Sequence, residues 1–377
     1  MKILSIVGTR PEAVKMAPIL RELDRQSWCQ SELLLTGQHR DLVDSALKQF
    51  GVRPDYDLNL MMPGQSLGSL TGRAFVALEE KIKEIGPDLI LSQGDTTTVM
   101  VSSIVAFYLR IPFGHVEAGL RTGDVRNPFP EEINRVITGR VADLHFAPTP
   151  ASAQALYREF VPEKKVFVTG NSVIDNLAFY SEKVSLSPHR APEGGKLVLL
   201  TSHRRENFGA PMREYFTGLR EVVDARPDVH LVYPVHPNPE VIEAASEKLG
   251  DHERIKLIDP MAYFDFVATM KAADVIVTDS GGVQEEAPFF HKPVLVLREE
   301  TERPEAVSAG VAHLVGLSRE RVRDKVLRLL SDPDYYSSMA SGASPYGDGH
   351  ASERIVQAIA DFTGKPYEGE RREAFKG

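Results

Sequence analysis

Short apolar runs rich in β-branched residues alternate with helix-length segments along this chain, and they do so in two series. The first comprises Ile3–Val7, Glu32–Leu35, Leu89–Leu91, Pro112–Val116, Leu144–Ala147 and Val166–Val168. The second comprises Leu197–Thr201, His230–Pro234, Ile255–Ile258, Val275–Thr278, Val294–Leu297 and His313–Val315. Strands joined through helices run parallel, and a parallel sheet needs helices on both faces. Between the two series, Ser181–Gly195 is polar and carries Ser, Pro and Gly, as linkers do. The expected fold is therefore α/β, with two doubly wound Rossmann-like domains: residues 1–180, a linker at 181–195, and residues 196–349. A chain of 377 residues is also longer than one hydrophobic core usually grows. His350–Thr363 places Ile355, Ile359 and Phe362 on one helical face and could complete either domain. The polar ending, residues 364–377, is expected to fray.

Composition excludes several function classes. A formal charge of −9, from 44 basic and 53 acidic residues, argues against a nucleic-acid binder that works by bulk charge. The single cysteine, Cys29, excludes a disulfide framework and any multi-cysteine metal site, and fits a reducing cytoplasm. The apolar run Ile3–Val7 stops at Gly8, too short for a signal-peptide core or a membrane span. Neither G-x-G-x-x-G nor G-x-x-x-x-G-K-[ST] is present, and His115-Val116-Glu117 matches H-x-E without the C-x-x-C of zinc deaminases. Neither a catalytic metal nor a nicotinamide cofactor is expected.

In open parallel sheets, ligands bind beyond the carboxyl ends of the strands, and the unusual polar groups of this chain fall there. Val275–Val277 leads into Asp279-Ser280-Gly281-Gly282, after which helical spacing resumes at Val283. Free N–H groups, a helix dipole and glycines that admit close approach make this a phosphate seat, although a plain Ser-capped helix has the same pattern. Gly8-Thr9-Arg10-Pro11-Glu12 opens the first helix with a capping box of Thr9 and Glu12, and Arg10 and Lys15 can bring charge to an anion there. Pro18 should bend or restart that helix. Asp95 and Glu117 end two further strands, and Glu131 and Glu132 begin another helix. Asp95 could simply cap its helix, and the glutamates of the helix could merely complement its dipole. Glu117 has no capping role to explain it. Together these carboxylates offer the acceptor and donor that general acid–base chemistry needs. Ser202-His203-Arg204-Arg205-Glu206-Asn207 and His236-Pro237-Asn238-Pro239 each end a strand of the second series, and Arg303 follows another. Histidine titrates near neutrality and arginine pairs with phosphate.

These segments, with Thr36-Gly37-Gln38-His39, Pro130–Arg135 and Gly170-Asn171, collectively resemble the non-hydrolysing UDP-N-acetylglucosamine 2-epimerases over residues 1–363. The resemblance implies a GT-B-type fold whose domains face each other across a cleft, the last helix, 350–363, returning to the first domain. It implies reversible conversion of UDP-GlcNAc to UDP-ManNAc by a cytoplasmic homodimer without metal or nicotinamide, supplying bacterial cell-surface polysaccharides. Carried over by motif, Asp95, Glu117 and Glu131 handle protons and His203 assists at the diphosphate. Arg10, Lys15, His236, Ser280, Gly281 and Gly282 hold the diphosphate or its surroundings, Glu286 accepts the ribose hydroxyls, and Arg303 completes the substrate site. Gln38, His39 and Gln65 stand where some relatives bind a second, activating UDP-GlcNAc, although Gly64 replaces an arginine that some of them carry. The rival readings are a GT-B glycosyltransferase using a UDP-sugar donor, a hydrolysing epimerase and a nucleotide-sugar sensor. Neither nucleic acid nor membrane is an expected partner.

Overall fold

The structure, a computed structural model, describes residues 1–37, 47–62, 64–181, 186–301, 303–342 and 344–377. The chain forms two compact units: Met1–Ala178 with Tyr346–Gly377, and Phe179–Pro345.

Unit 1 contains β1 (Lys2–Val7), β2 (Gln30–Leu35), β3 (Tyr56–Asp57), β4 (Leu89–Gln93), β5 (Phe113–Val116), β6 (Leu144–Ala147) and β7 (Val166–Val168). They form a parallel seven-stranded sheet in the order β3-β2-β1-β4-β5-β6-β7. Burial on both faces explains the unbroken apolar runs. Ile3 and Val7 face one core with Met16, Ile19 and Ile359, whereas Leu4 and Ile6 face another with Leu78, Ile82 and Val101. The edge strand β3 is only two residues long, which leaves no period to read in the sequence.

Helix Arg10–Asp24 continues through Pro18, contrary to the expected break. Proline at that position leaves the Val14 carbonyl without its helical donor, and the buried Asn176 side-chain amide supplies one instead.

Unit 2 contains β8 (Lys196–Thr201), β9 (Val229–Pro234), β10 (Ile255–Ile258), β11 (Val275–Thr278), β12 (Val294–Val296) and β13 (Ala312–Leu314). Their parallel order is β10-β9-β8-β11-β12-β13, the doubly wound arrangement again. The strand order reverses beside β1 in unit 1 and beside β8 in unit 2. Loops leaving β1 and β4, and loops leaving β8 and β11, therefore diverge to open a crevice in each unit.

Two sequence-based expectations need correction. The segment expected as a linker belongs in part to unit 2, where buried Ser187 Oγ lies 2.8 Å from Thr269 Oγ1. Residues 182–185 of that segment lie outside the described residues. The polar ending is tied to unit 1 rather than frayed: Tyr367 donates to Glu22 at 2.9 Å, Ser27 N–H to Glu368 at 2.9 Å, and Phe375 N–H to the Val168 carbonyl at 2.9 Å. Specific polar partners hold it where apolar content is low.

Helix Ala351–Thr363 packs in unit 1, with Ile355, Val356 and Ile359 in the core that includes Met16 and Leu23. Asp175, 5% exposed, anchors its start by accepting from Ala351 N–H (3.1 Å), Ser352 N–H (2.7 Å) and the Ser352 hydroxyl (2.6 Å). Burial pushes the Asp175 carboxyl up to about 6, and those donors oppose the shift. Asp175→Ala is expected to destabilise the protein by about 1–3 kcal/mol by stranding buried donors. Hydrogen exchange should quicken within 351–363, and unchanged protection there would refute the anchoring.

Candidate active site

In unit 1 the site is built on loops at the ends of β1, β4 and β5. After β1, Thr9 and Glu12 close the capping box expected from sequence. Glu12 is 2% exposed, and its Oε2 accepts the N–H of Gly8 at 2.6 Å and of Thr9 at 3.3 Å. Burial pushes its carboxyl up to about 7 against these donors. Arg10 follows at the helix start, half-buried, with no hydrogen bond or ion pair among the described residues.

Asp95 does not cap the next helix; Thr96 does, its hydroxyl accepting from Val99 N–H. Asp95 instead receives Arg135 through Nε at 2.9 Å and Nη2 at 2.5 Å, and Asn134 Nδ2 donates to the Asp95 carbonyl at 2.9 Å. Arg135 also donates to buried Glu132 at 3.1 Å, and Glu132 accepts the N–H groups of Thr122 and Gly123 at 3.0 and 3.1 Å. Glu132 is thus a clamp on the loop beyond β5, a role that the helix-dipole reading does not contain. The helix that holds Asp95 begins at Glu131, which is half-buried and makes no hydrogen bond among the described residues.

Glu117 sits directly after β5 with φ +65°, a left-handed conformation that costs a non-glycine residue roughly 1–2 kcal/mol. Such cost persists where surrounding contacts over-determine it. Here Lys15 Nζ lies 2.5 Å from Glu117 Oε1, Asn171 Nδ2 donates to the same oxygen at 3.1 Å, and the Gln93 amide donates to the other. Lys15, which the sequence placed with Arg10 as positive charge for an anion at this helix mouth, is thus paired with Glu117. His115 joins the β5 and β4 ends through Nε2 and the Gly94 carbonyl, 2.7 Å apart. Burial pushes its imidazole down to about 4, and since a carbonyl only accepts, the proton of the neutral ring is on Nε2.

In unit 2, Asp279 is fully buried after β11 and gathers the loop that leaves β8. It accepts from the Ser202 hydroxyl (3.0 Å), the backbone N–H of His203 (3.0 Å) and Arg204 (3.0 Å), and Asn207 Nδ2 (3.1 Å). His203 and His236 come together with ring centroids 6.1 Å apart at 26°. The helix after Ser280-Gly281-Gly282 is short, Gly281–Glu286, followed by a 3-10 turn at Ala287–Phe290, and the Ser280 side chain does not cap it. Arg303 packs against this seat: a Cβ on Gly281 would meet its Cζ at 3.6 Å, and its Nε lies 2.5 Å from buried Glu285. Glu286 is buried and accepts from the Tyr263 hydroxyl at 3.1 Å.

Gln38 and His39 lie outside the described residues. Gln65 accepts from Met62 N–H at 3.1 Å and from the Arg73 guanidinium. Gly64 precedes it at φ +68°, a conformation that favours glycine.

Sequence reasoning did not single out Gln93, Arg135, Asn171 or Asp279 as site residues. Each stood inside a recognisable motif, but its partner is fixed only by strand order.

The profile of the UDP-N-acetylglucosamine 2-epimerase family matches residues 21–360. A UDP-N-acetylglucosamine 2-epimerase of Bacillus subtilis (strain 168) is 47% identical over 378 residues, spanning 100% of this chain and 99% of that protein. The crystal structure of UDP-GlcNAc 2-epimerase from Neisseria meningitidis bound to UDP-GlcNAc matches with a TM-score of 0.90 and 42% identity, covering 96% of this chain and 100% of that one. The S. aureus MnaA–UDP co-structure matches with a TM-score of 0.91 and 42% identity, covering 99% of both chains. Two doubly wound α/β units of GT-B type, the loops at their strand ends and near-complete coverage at this identity lead to one conclusion: the chain belongs to the UDP-N-acetylglucosamine 2-epimerase family.

Proposed function

We propose that the protein interconverts UDP-N-acetylglucosamine and UDP-N-acetylmannosamine by elimination and re-addition. The observation that carries the reading is the set of carboxylates at adjoining loop ends of unit 1, Asp95 and Glu117 held by named cations and Glu131 at a helix start. The hydrogen on sugar carbon 2 is not acidified by a neighbouring carbonyl. When the carbon 1–oxygen bond breaks and UDP leaves with the electron pair, oxocarbenium character at carbon 1 acidifies that hydrogen. A carboxylate takes the proton, and a carbon 1–carbon 2 double bond forms, giving 2-acetamidoglucal. UDP then re-adds at carbon 1 while carbon 2 is protonated from the opposite face. Two differently placed acid–base groups are required, and Asp95, Glu117 and Glu131 are assigned to them.

Arg10, His203, His236, Arg303 and the Ser280-Gly281-Gly282 turn are assigned to the diphosphate and its surroundings, where positive charge and free N–H groups stabilise the leaving group. Lys15 serves by balancing Glu117, and Glu286 is assigned to the ribose hydroxyls, with Tyr263 orienting it. A regulatory role for Gln38, His39 and Gln65 stays part of the proposal. A homodimer is supported by exposed Val76, Phe107 and Tyr108 on the packed helices Leu67–Ile85 and Thr97–Leu109. Among the described residues no helix is long and apolar enough to cross a membrane, in keeping with a cytoplasmic enzyme that feeds cell-surface polysaccharide synthesis.

Incubating the purified protein with UDP-GlcNAc in D₂O, without metal or acceptor, tests the proposal by NMR. UDP-ManNAc carrying deuterium at carbon 2 is expected, in reversible equilibrium. Free ManNAc would indicate hydrolysis instead, and an unchanged sugar would sink the epimerase reading.

A further inference from the structure

The donors that Asp279 accepts are spread unevenly over its two oxygens. Its Oδ2 receives Ser202 Oγ, the N–H groups of His203 and Arg204, and Asn207 Nδ2, at 3.0, 3.0, 3.0 and 3.1 Å. Among the described residues Oδ1 shares only the His203 N–H, at 3.2 Å, although a carboxylate oxygen has about two lone-pair sites. Its remaining side faces the His203 ring, with Nδ1 3.3 Å from Oδ1. The carboxylate is fully buried while the His203 side chain is 44% exposed, so one edge of the ring meets a fixed anion and another part of it reaches solvent. At 3.3 Å the two atoms are within hydrogen-bond distance, and rotation of the ring would align them. The pair is also braced from behind. Ser202 Oγ lies 2.6 Å from the buried Tyr215 hydroxyl, and the Tyr233 hydroxyl donates to the Ser202 carbonyl at 2.8 Å. On its open side the ring lies against His236.

We infer that Asp279 is a positioning residue, which holds His203 with Nδ1–H on the carboxylate and Nε2 presented outward. A carboxylate only accepts, so the nitrogen that faces it must carry hydrogen. Nε2 is then the atom that exchanges a proton with ligand, and Asp279 stabilises the imidazolium formed when it takes one. The same division of labour between a buried aspartate and a histidine operates in serine hydrolases on an unrelated fold. Because this rests on the proposed role of His203 at the diphosphate, the first readout is made on the free protein and needs no turnover.

The test uses full-length protein labelled with ¹⁵N-histidine, with His203→Gln to identify the His203 signals. Long-range ¹H–¹⁵N spectra report which ring nitrogen carries the proton in the neutral form. The wild type is expected to show His203 as the Nδ1–H tautomer, against the Nε2–H preference of free histidine. Asp279→Asn should abolish that bias and lower kcat roughly ten- to hundredfold, with KM within about threefold, as for other groups that orient a functional histidine. Ser202→Ala removes one donor to the same carboxylate but leaves the pair, and should keep the tautomer. A wild-type His203 found as Nε2–H overturns the inference, whatever the fold of Asp279→Asn. Equal tautomer loss in Ser202→Ala and Asp279→Asn also overturns it, since Asp279 would then only build the turn.

Discussion

Glu117→Gln is expected to fold and to lose turnover by roughly 10²–10⁴-fold, the range for removing a positioned acid–base group. The substitution keeps shape and leaves one oxygen able to accept from Asn171 or Gln93. It removes the charge proposed to take a proton and the charge that balances Lys15, whose side chain is only 14% exposed. Removing that charge from beside a largely buried ammonium should also lower stability by a few kcal/mol, of the order measured when one partner of a buried pair is removed. Thermal melts would record that loss, and steady-state kinetics with deuterium incorporation would record the chemistry. If the variant still exchanges carbon 2 hydrogen at a near-wild-type rate, Glu117 leaves the catalytic set. Asp95→Asn is expected to follow the same pattern in turnover, with Arg135 losing one of its two carboxylate partners and keeping Glu132.

Glu12→Gln is expected to change how stability depends on pH. In the folded protein burial raises the Glu12 carboxyl from 4.5 to about 7, so the fold favours its protonated form. The stability this confers is fully present below about pH 4.5 and is lost as pH rises through about 7. Above that, the shift corresponds to about 3 kcal/mol of destabilisation by the ionised group. Glutamine keeps an acceptor for Gly8 N–H and cannot ionise. The wild type should therefore lose about 3 kcal/mol between pH 4.5 and 8 that the variant retains, apart from titrations common to both. Denaturant unfolding of both proteins at those two pH values measures the difference. Parallel pH curves would show that Glu12 does not titrate in that window. The consequence for function is local, because Glu12 fixes the turn from which Arg10 projects.

Much of this architecture was legible in the residues. Burial on both faces of a parallel sheet forces continuous apolar runs, so Ile3–Val7 and Val275–Thr278 announced themselves as central strands. A helix must follow each strand, so the polar residues between them had to lie at carboxyl ends, where Asp95, Glu117, His203 and Asp279 are found. Local signals were weaker where the deciding partner is remote. Pro18 looked like a helix breaker because Asn176, which satisfies the freed Val14 carbonyl, is 162 positions away. The ending 364–377 looked free because its partners, such as Glu22, are as much as 345 positions distant.

By itself, then, the sequence determined two parallel α/β units, the polar groups at their strand ends, and the family. Tertiary structure alone decided which of those groups face each other. Lys15 and Glu117 are 102 positions apart, Asp95 and Arg135 are 40 apart, and Asp279 reaches back 76 to the His203 N–H. Periodicity records which face of an element is buried, but not which strands are neighbours. Pairing β1 with β4, β4 with β5 and β8 with β11 is what sets each cation, amide or hydroxyl against its carboxylate.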